Sequence, residues 1–474
     1  MKVTSTKHPA KASWIRELAH RLDAPPFVSG AMEARKTIDS LSARKDELRD
    51  LLSGATEGVF HAGRIARLWV KDLDHGTPFL SSTDILQADL SHLSLISNKV
   101  VRANPRLLIK SGWILISRSG TVGRTVYVRP EMDGLAATED VLRVVPDPTR
   151  ILPGYLFAFL SSRYGIPVVT SGTYGSIIQH LEPEHILPMR IPRFGKGLEQ
   201  QVHDLVNEAA ELRHKASEMI AEAKADLLSH LGAFMPAQFT ERAMELTTAV
   251  NSHEVARNSR MEGYFYNPSA KHVDDWASAH ERGHWTLGDI AQVFDVPPFK
   301  HIYVESDHGL PFFTSGDLFL LERKPRHYLS TTQTKGLEKY IIKKGWVLIA
   351  RSGQLGGIIG RPQFADSSLD ECTTSDHVIR IVSKAPNDVP PGFLFAYLDL
   401  REIGYPLITR TIAGKSVPAL WPEYLKDIKV VKVSKTCRQR VHNTIASAFE
   451  LRIDATRLED SARLLVEDAI DGGD

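Results

Sequence analysis

Cysteine is nearly absent from this 474-residue chain, which holds only Cys372 and Cys437. Two distant thiols exclude a disulfide framework and a cysteine zinc site, and they point to a reducing, cytoplasmic setting. Long hydrophobic runs are missing too. No apolar stretch approaches the roughly 18–20 residues that a membrane span needs. The opening Met1-Lys-Val-Thr-Ser-Thr-Lys-His8 has no apolar segment behind its positive charges, so no secretory signal is expected. Nor is there an excess of one charge, since 58 basic residues face 57 acidic ones. That balance withholds the basic signature common in nucleic-acid-binding domains, yet the charge is sorted by region. Arg102, Arg106, Lys110, Arg118, Arg124 and Arg129 fall in a stretch with no Asp or Glu, and residues 323–361 hold Glu338 as their only acid. Ordinary solvated surface is the competing reading of these two patches.

What is present is a repeat. Pro153-Gly-Tyr-Leu-Phe-Ala-Phe-Leu160 returns as Pro391-Gly-Phe-Leu-Phe-Ala-Tyr-Leu398, with six of eight positions identical and two aromatic rings exchanged. His75-Gly-Thr-Pro-Phe79 returns as His308-Gly-Leu-Pro-Phe312, and Gly112-Trp-Ile-Leu-Ile-Ser-Arg-Ser-Gly120 as Gly345-Trp-Val-Leu-Ile-Ala-Arg-Ser-Gly353, both shifted by 233 positions. Val202-His203 and Glu211-Leu-Arg213 match Val441-His442 and Glu450-Leu-Arg452, shifted by 239. Kept order with a slowly drifting shift means duplication.

Each copy reads as a mixed α/β domain followed by a long helix. Trp113 to Ser117 and Trp346 to Ala350 read as buried strands, and Gly154 to Tyr164 and Gly392 to Ile403 as short apolar helices. Val202, Leu205, Ala209, Leu212, Ala216, Met219 and Ala223 step by 3 and 4. So do Val441, Thr444, Ala448, Leu451, Ala455, Leu458, Ala462, Leu465 and Ala469. That is a heptad seam. Leu205, Leu212, Met219, Leu451, Leu458 and Leu465 are its expected interface residues, and the two helices are expected to pair antiparallel as a coiled coil with pseudo-two-fold symmetry. A helix packed only on its own domain is the other reading. The expected division is an N-terminal helical segment 1–20, domain 21–197, helix 198–231, linker 232–259, domain 260–436 and helix 437–474.

The sharpest local feature is the turn Arg118, Ser119, Gly120, Thr121, Val122, Gly123, with Arg124 beside it. Its twin in sequence is Arg351, Ser352, Gly353, Gln354, Leu355, Gly356. Glycines three apart let the backbone approach a bulky partner, and Arg and Ser offer phosphate donors. A tight turn that only satisfies backbone geometry is the competing reading. Tyr174, Gly175 and Ser176, and in the other copy Gly414, Lys415 and Ser416, form a second candidate pair, each followed by Leu-x-Pro-Glu (181–184 and 420–423). The Gly-Lys-Ser is not a phosphate loop, because Thr409 stands where that motif needs Gly. No catalytic set emerges. Tyr266-Asn-Pro-Ser269 lacks the second proline and the aromatic of an adenine-methyltransferase motif. His377 follows Asp376 with nothing at metal-ligand spacing. His203 and His442 sit on the heptad helices. No catalytic residue, metal or cofactor is expected, which favours a recognition device.

The repeated elements resemble a target-recognition domain: the Gly-Trp strand and turn, then Thr138-Glu-Asp-Val-Leu-Arg-Val144 (Thr374-Ser-Asp-His-Val-Ile-Arg-Ile381 in the second copy), the Pro-Gly-Tyr-Leu-Phe-Ala helix, Tyr-Gly-Ser, and a long helix. Over nearly the whole chain the arrangement resembles the specificity subunit of type I restriction-modification systems. Arg21-Leu-Asp23 and Arg260-Met-Glu262 resemble the start of each domain, although Ala24-Pro-Pro-Phe27 lacks the usual tyrosine. The resemblance implies a non-catalytic DNA-binding subunit whose two domains read the halves of a split site in double-stranded DNA, with the helices as a ruler. It implies two DNA methyltransferase (modification) subunits on the helices, restriction or translocase subunits in some assemblies, and adenine methylation from S-adenosylmethionine on the partner. A recognition subunit of another methylation-linked phage-defence system, or a stand-alone DNA-processing enzyme, are the alternatives.

Overall fold

The structure is a computed structural model that describes residues 12–17, 27, 30–171, 180–232, 249–353, 356–414 and 418–473. It divides into two units, residues 1–214 with 454–474 and residues 215–453. In the first unit, β1 (Arg44–Glu47) pairs antiparallel with β10 (Arg190–Arg193). A central sheet runs in the order β2 (Val59–Phe60), β9 (Val141–Val144), β6 (Ile114–Ser117), β7 (Thr125–Tyr127). An outer sheet runs β3 (Trp69–Val70), β5 (Ser94–Ser97), β4 (Gly76–Leu80), β8 (Ala136–Ala137).

The second unit repeats this plan strand for strand. There β11 (His284–Thr286) pairs with β20 (Lys429–Val431). Its central sheet is β12 (Ala291–Phe294), β19 (Val378–Ser383), β16 (Val347–Ala350), β17 (Pro362–Phe364). Its outer sheet is β13 (Tyr303–Val304), β15 (His327–Ser330), β14 (Gly309–Phe313), β18 (Thr373–Thr374). Even the one parallel pairing recurs, β4 with β8 and β14 with β18.

Alternation along the central strands feeds two cores. Ile114 and Ile116 face the apolar helix Pro153–Leu160, while Leu115 joins Leu80, Val126 and Met132 on the other side. In the second unit Val347 and Ile349 face the helix Pro391–Leu398, and Leu348 and Ala350 face Phe313 and Leu369. Both faces are covered, so the strands read as unbroken apolar runs. The exchanged aromatics in the two helices also find an explanation. Tyr155 donates its hydroxyl to the Pro192 carbonyl at 2.5 Å, and Tyr397, one helical turn further along its copy, donates to the Lys429 carbonyl at 3.0 Å. In both copies a buried hydroxyl is satisfied by the same last strand.

A buried arginine ties the two sheets of each unit together. Residues 138–140 carry the chain from β8 in the outer sheet to β9 in the central one. Arg143, opposite Leu115 in the register, is fully buried and donates to the carbonyls of Thr138 (2.8 Å), Val141 (2.7 Å), Leu107 (3.1 Å) and Ala137. Arg380, opposite Leu348, donates to those of Val378 (2.6 Å), Ser375 and Thr374 (3.4 Å each). Burial pushes both guanidinium groups down to about 10, which leaves them charged at neutral pH. The Thr-Glu-Asp-Val-Leu-Arg word and its twin are thus architectural at their arginine.

The long helices run unbroken from Lys196 to Leu231 and from Lys435 to Gly472. They pair antiparallel: in the first unit Arg213 is bonded to Glu459, and in the second Arg440 grips Asp226 at 2.9–3.0 Å. The alanine line of the heptad is buried, at Ala209, Ala216, Ala223, Ala448, Ala455 and Ala462. The second line differs from the sequence pattern. Leu205, Leu212, Met219, Leu451, Leu458 and Leu465 are half-buried, whereas Val206, Arg213, Ile220, Leu227, Ile445, Glu459 and Val466 are buried. Each helix is covered both by the other helix and by a globular core, as Val206 and Ala210 show by joining the cluster around the Pro153–Leu160 helix. The second buried line is therefore one residue on from the leucine line, at the same seven-residue step. Arg213 and Glu459 are 3% and 2% exposed, and Arg463 also reaches Glu459 at 3.2 Å. Removing one member of such a pair costs about 3–5 kcal/mol, so it fixes register.

Each apolar helix is seated on a long helix through one contact. The Gly154 N–H donates to His203 Nδ1 and the Gly392 N–H to His442 Nδ1, both at 3.1 Å. A Cβ at Gly154 would lie 3.0 Å from the His203 Cα, and one at Gly392 would lie 2.9 Å from the His442 Cα. Only glycine permits the approach. Accepting through Nδ1 requires a neutral imidazole, and burial holds both histidines below the usual 6.5.

Arg143→Ala should lower stability by about 3 kcal/mol or more through stranded carbonyls, and Arg143→Lys should not restore it, because an ammonium lacks the planar fork; urea unfolding measures both. For the histidines, folded pKa values below the unfolded one mean that protonation favours the unfolded chain. Their contribution is present above about pH 6.5 and lost as pH falls through the lower folded values. The urea midpoint should fall between pH 7 and 5, and the double variant His203→Gln, His442→Gln should flatten that fall.

Candidate nucleic-acid interface

The Arg-Ser-Gly turn follows β6 directly, and its polar groups are largely engaged within the chain. Arg118 is ion-paired with Glu182, and its Nε donates to the Leu181 carbonyl at 3.0 Å. Ser119 Oγ donates to Asp140 at 2.7 Å. In the second unit Arg351 pairs with Asp295 at 3.0 Å and lies over the Trp421 ring, and Ser352 Oγ is 3.2 Å from His377 Nδ1. His377 takes the place of Asp140, since their carbonyls accept the N–H of Arg351 and Arg118 respectively. The turn is thus held the same way twice with different chemistry. His61 lies 3.7 Å from Glu182, and burial, helped by the Arg118 charge, lowers its pKa. Outward-facing positions of the first turn are Gly120, Thr121 and Arg124.

The glycines have separate duties. Gly120 has φ 74° with open space around its Cβ position, whereas Gly123 has φ 86° and a Cβ there would lie 2.4 Å from Thr170 Cγ2. The Gly123 N–H closes the turn onto the Ser117 carbonyl at 2.9 Å. In the second unit Gly360 has that duty. Its N–H donates to the Ala350 carbonyl at 3.1 Å, φ is 75°, and Ile408 Cγ2 lies 3.1 Å from its Cβ position. The sequence match of Gly123 with Gly356 is therefore corrected. Gly356 stands in open space at φ 76°, and the second loop is four residues longer, as a fold that keeps only its closing bond allows.

Described residues that flank the second candidate segment meet this turn. Leu181 and Leu420 donate their N–H groups to the carbonyls of Arg118 and Arg351. Ala413 and Ala419 bridge each other, and Ala419 also bridges Ser352. Gly414, at φ 110°, follows directly on that bridge. Tyr174, Gly175, Ser176, Gln354, Lys415 and Ser416 lie outside the described residues. The shared Leu-x-Pro-Glu words mark where the chain docks on the turn, through Leu181 and Leu420. Glu182, at the variable position of the first word, and Asp295, outside the second, leave no shared mark as partners of the turn arginines.

One set of metal-type ligands is assembled in the second unit. Asp226, His230 and Cys437 bring their ligand atoms within 4.8 Å of one another. Arg440 holds both oxygens of Asp226, so a guanidinium sits where a cation would be needed. Among the described residues no helix is long and apolar enough to cross a membrane.

No protein-family model and no curated protein matches the chain. Solved structures similar to it include the S subunit of a type I restriction-modification system from M. genitalium, 11% identical over 91% of this chain and 95% of that one, with a TM-score of 0.34. Another is the HsdS subunit from Thermoanaerobacter tengcongensis, 14% identical over 91% and 97%, with a TM-score of 0.27. A third, described as the basis of complex assembly and conformational transition of the type I R-M system, is 14% identical over 90% and 97%, with a TM-score of 0.26. At these values the function rests on the chain's own residues.

The turn geometry gives a direct check. Gly120→Ala should cost about 1 kcal/mol of left-handed strain, while Gly123→Ala adds overpacking of about 1–3 kcal/mol against Thr170. Thermal unfolding of both variants distinguishes the open glycine from the closing one.

Proposed function

We propose that this chain is the DNA sequence-specificity subunit of a type I restriction-modification complex, reading a bipartite site with one domain per half. The observation that carries this is the pairing of a kept scaffold with altered loops. Sheet order, register, buried arginine and glycine–histidine seat recur in both copies. The residues at the turn do not, since Asp140 gives way to His377, Glu182 to Trp421, and the loop lengthens by four residues. Duplicated domains with divergent loops suit two different half-sites, because phosphate contacts position a protein while loop contacts to base edges select sequence. The unbroken, antiparallel helices suit a spacer between the readers and a seat for modification subunits, in two copies as the repeat suggests. Methyl transfer from S-adenosylmethionine, and cleavage where a restriction subunit joins, then belong to those partners.

The test is domain exchange in the assembled complex. Replacing residues 21–194 by the corresponding domain of a relative should change one half of the methylated site, mapped genome-wide, and leave the other intact. A change in both halves overturns the division of labour. Methylation or cleavage of DNA by the purified chain alone, with magnesium and S-adenosylmethionine, overturns the non-catalytic reading.

A further inference from the structure

Arg118, Ser119, Arg351 and Ser352 are engaged within the chain, which leaves room for further DNA-contacting groups elsewhere on each unit. The outer sheet offers them. In the first unit its edge strand β3 places Trp69 opposite Ile96 of β5. The ring is 47% exposed and meets Phe79 edge-on at 5.4 Å. Leu68 and Leu73 beside it are 54% and 69% exposed. Arg67 lies over the Phe79 ring, and Arg64 and Lys71 are exposed on the same segment. In the second unit edge strand β13 places Tyr303 opposite Leu329, the same register position, with the ring 46% exposed and 5.9 Å from Phe312. His301 takes the place of Arg67 beside Phe312, and His327 stacks on Tyr303 at 4.3 Å. Lys300 and Arg326 are exposed around it.

Solvent-exposed aromatics carry no burial benefit that would keep them through divergence. Here the surroundings have changed, Lys71 having become Glu305 and Leu73 having no apolar counterpart, yet an exposed ring backed by a phenylalanine and flanked by cations stands at one register position in both copies. An edge strand followed by a hairpin is narrow enough to enter a DNA major groove. Apolar rings contact thymine methyl groups there, or wedge between base steps, while the flanking cations meet phosphate. The geometry points to Trp69 and Tyr303 as base-contacting, specificity-determining residues, one per half-site, on the edge strand of each outer sheet. This rests on the DNA-reading function proposed above. The different rings and neighbours would make the two half-sites differ at those contacts.

The test uses the purified full chain and a random-sequence 40-base-pair duplex, with a second duplex carrying 5-bromodeoxyuridine in place of thymidine. Ultraviolet crosslinking of the wild-type chain to the bromo duplex should map to the peptides holding Trp69 and Tyr303. Trp69→Ala and Tyr303→Ala should each weaken binding about tenfold with an unchanged salt slope, and Trp69→Phe should retain most of it. Lys71→Gln should lower the salt slope by about one unit. Crosslinks confined to residues 118–124 and 351–361, or alanine variants that bind within twofold of wild type, overturn the assignment and leave the DNA reading standing. The assignment falls equally if DNA affinity is kept but the rings become protected only in the assembled complex, which makes the surface a protein contact. A wild-type chain that binds neither duplex at low salt overturns the DNA reading, and this inference with it.

Discussion

Everything in this architecture hangs on a helix that approaches another too closely for any side chain but hydrogen. Gly154 on His203, and Gly392 on His442, seat the apolar helix of each globular part against a long helix, with a backbone N–H donated to a neutral imidazole. The apolar helix in turn contributes six consecutive buried residues to one core of its central sheet. A methyl group at either glycine would lift the helix off its support and disturb every layer above it. The pairing of Pro-Gly with Val-His, far apart in sequence, is one contact written twice.

The helix pair solves a different problem, that of register. Alanines allow close approach but say little about which turn faces which, since one alanine resembles another. The Arg213–Glu459 pair, reinforced by Arg463, supplies the missing information in the first unit. In the second unit Ile220 stands at the repeat position of Glu459, and the polar contact there is the more exposed pair of Arg440 with Asp226. In each unit the helical stretches also join that unit's own core, so one buried charged contact is enough. A second would add desolvation cost without adding information.

The turn after β6 shows how the groups that a motif offers can be spent within the fold. Arg, Ser and Gly in that order suggest phosphate donors. In the folded chain Arg118 and Ser119 hold the turn to Glu182 and Asp140, and Arg351 and Ser352 hold theirs to Asp295 and His377. The donors are engaged in holding the turn in place. Variation then accumulates where these bonds do not constrain it, in loop length and in the residues of the outer sheet.

The duplication, the mixed α/β character, the long helices and the alanine line of their seam are all legible in the residues themselves, because repeats and periodicity are one-dimensional signals. The strand at Trp113 to Ser117 is legible for the same reason. What the sequence does not disclose is which groups meet across the fold. Leu205, Leu212 and Leu465 fit one heptad line, and Val206, Arg213 and Val466 fit another, one residue further on. The second set is the buried one, because a globular core also covers each helix. Gly356 aligns with Gly123 by spacing, but Gly360 closes the turn, since closure is set by a carbonyl on a neighbouring strand and not by distance along the chain. Arg143 and Arg380 look like two more basic residues until the crossing between sheets places carbonyls around them. The residues alone disclosed the duplication and, in each copy, one buried strand, one apolar helix and one long helix. Only the tertiary structure decided which polar groups are spent inside, because hydrogen bonds and burial depend on neighbours that the chain brings together from remote positions.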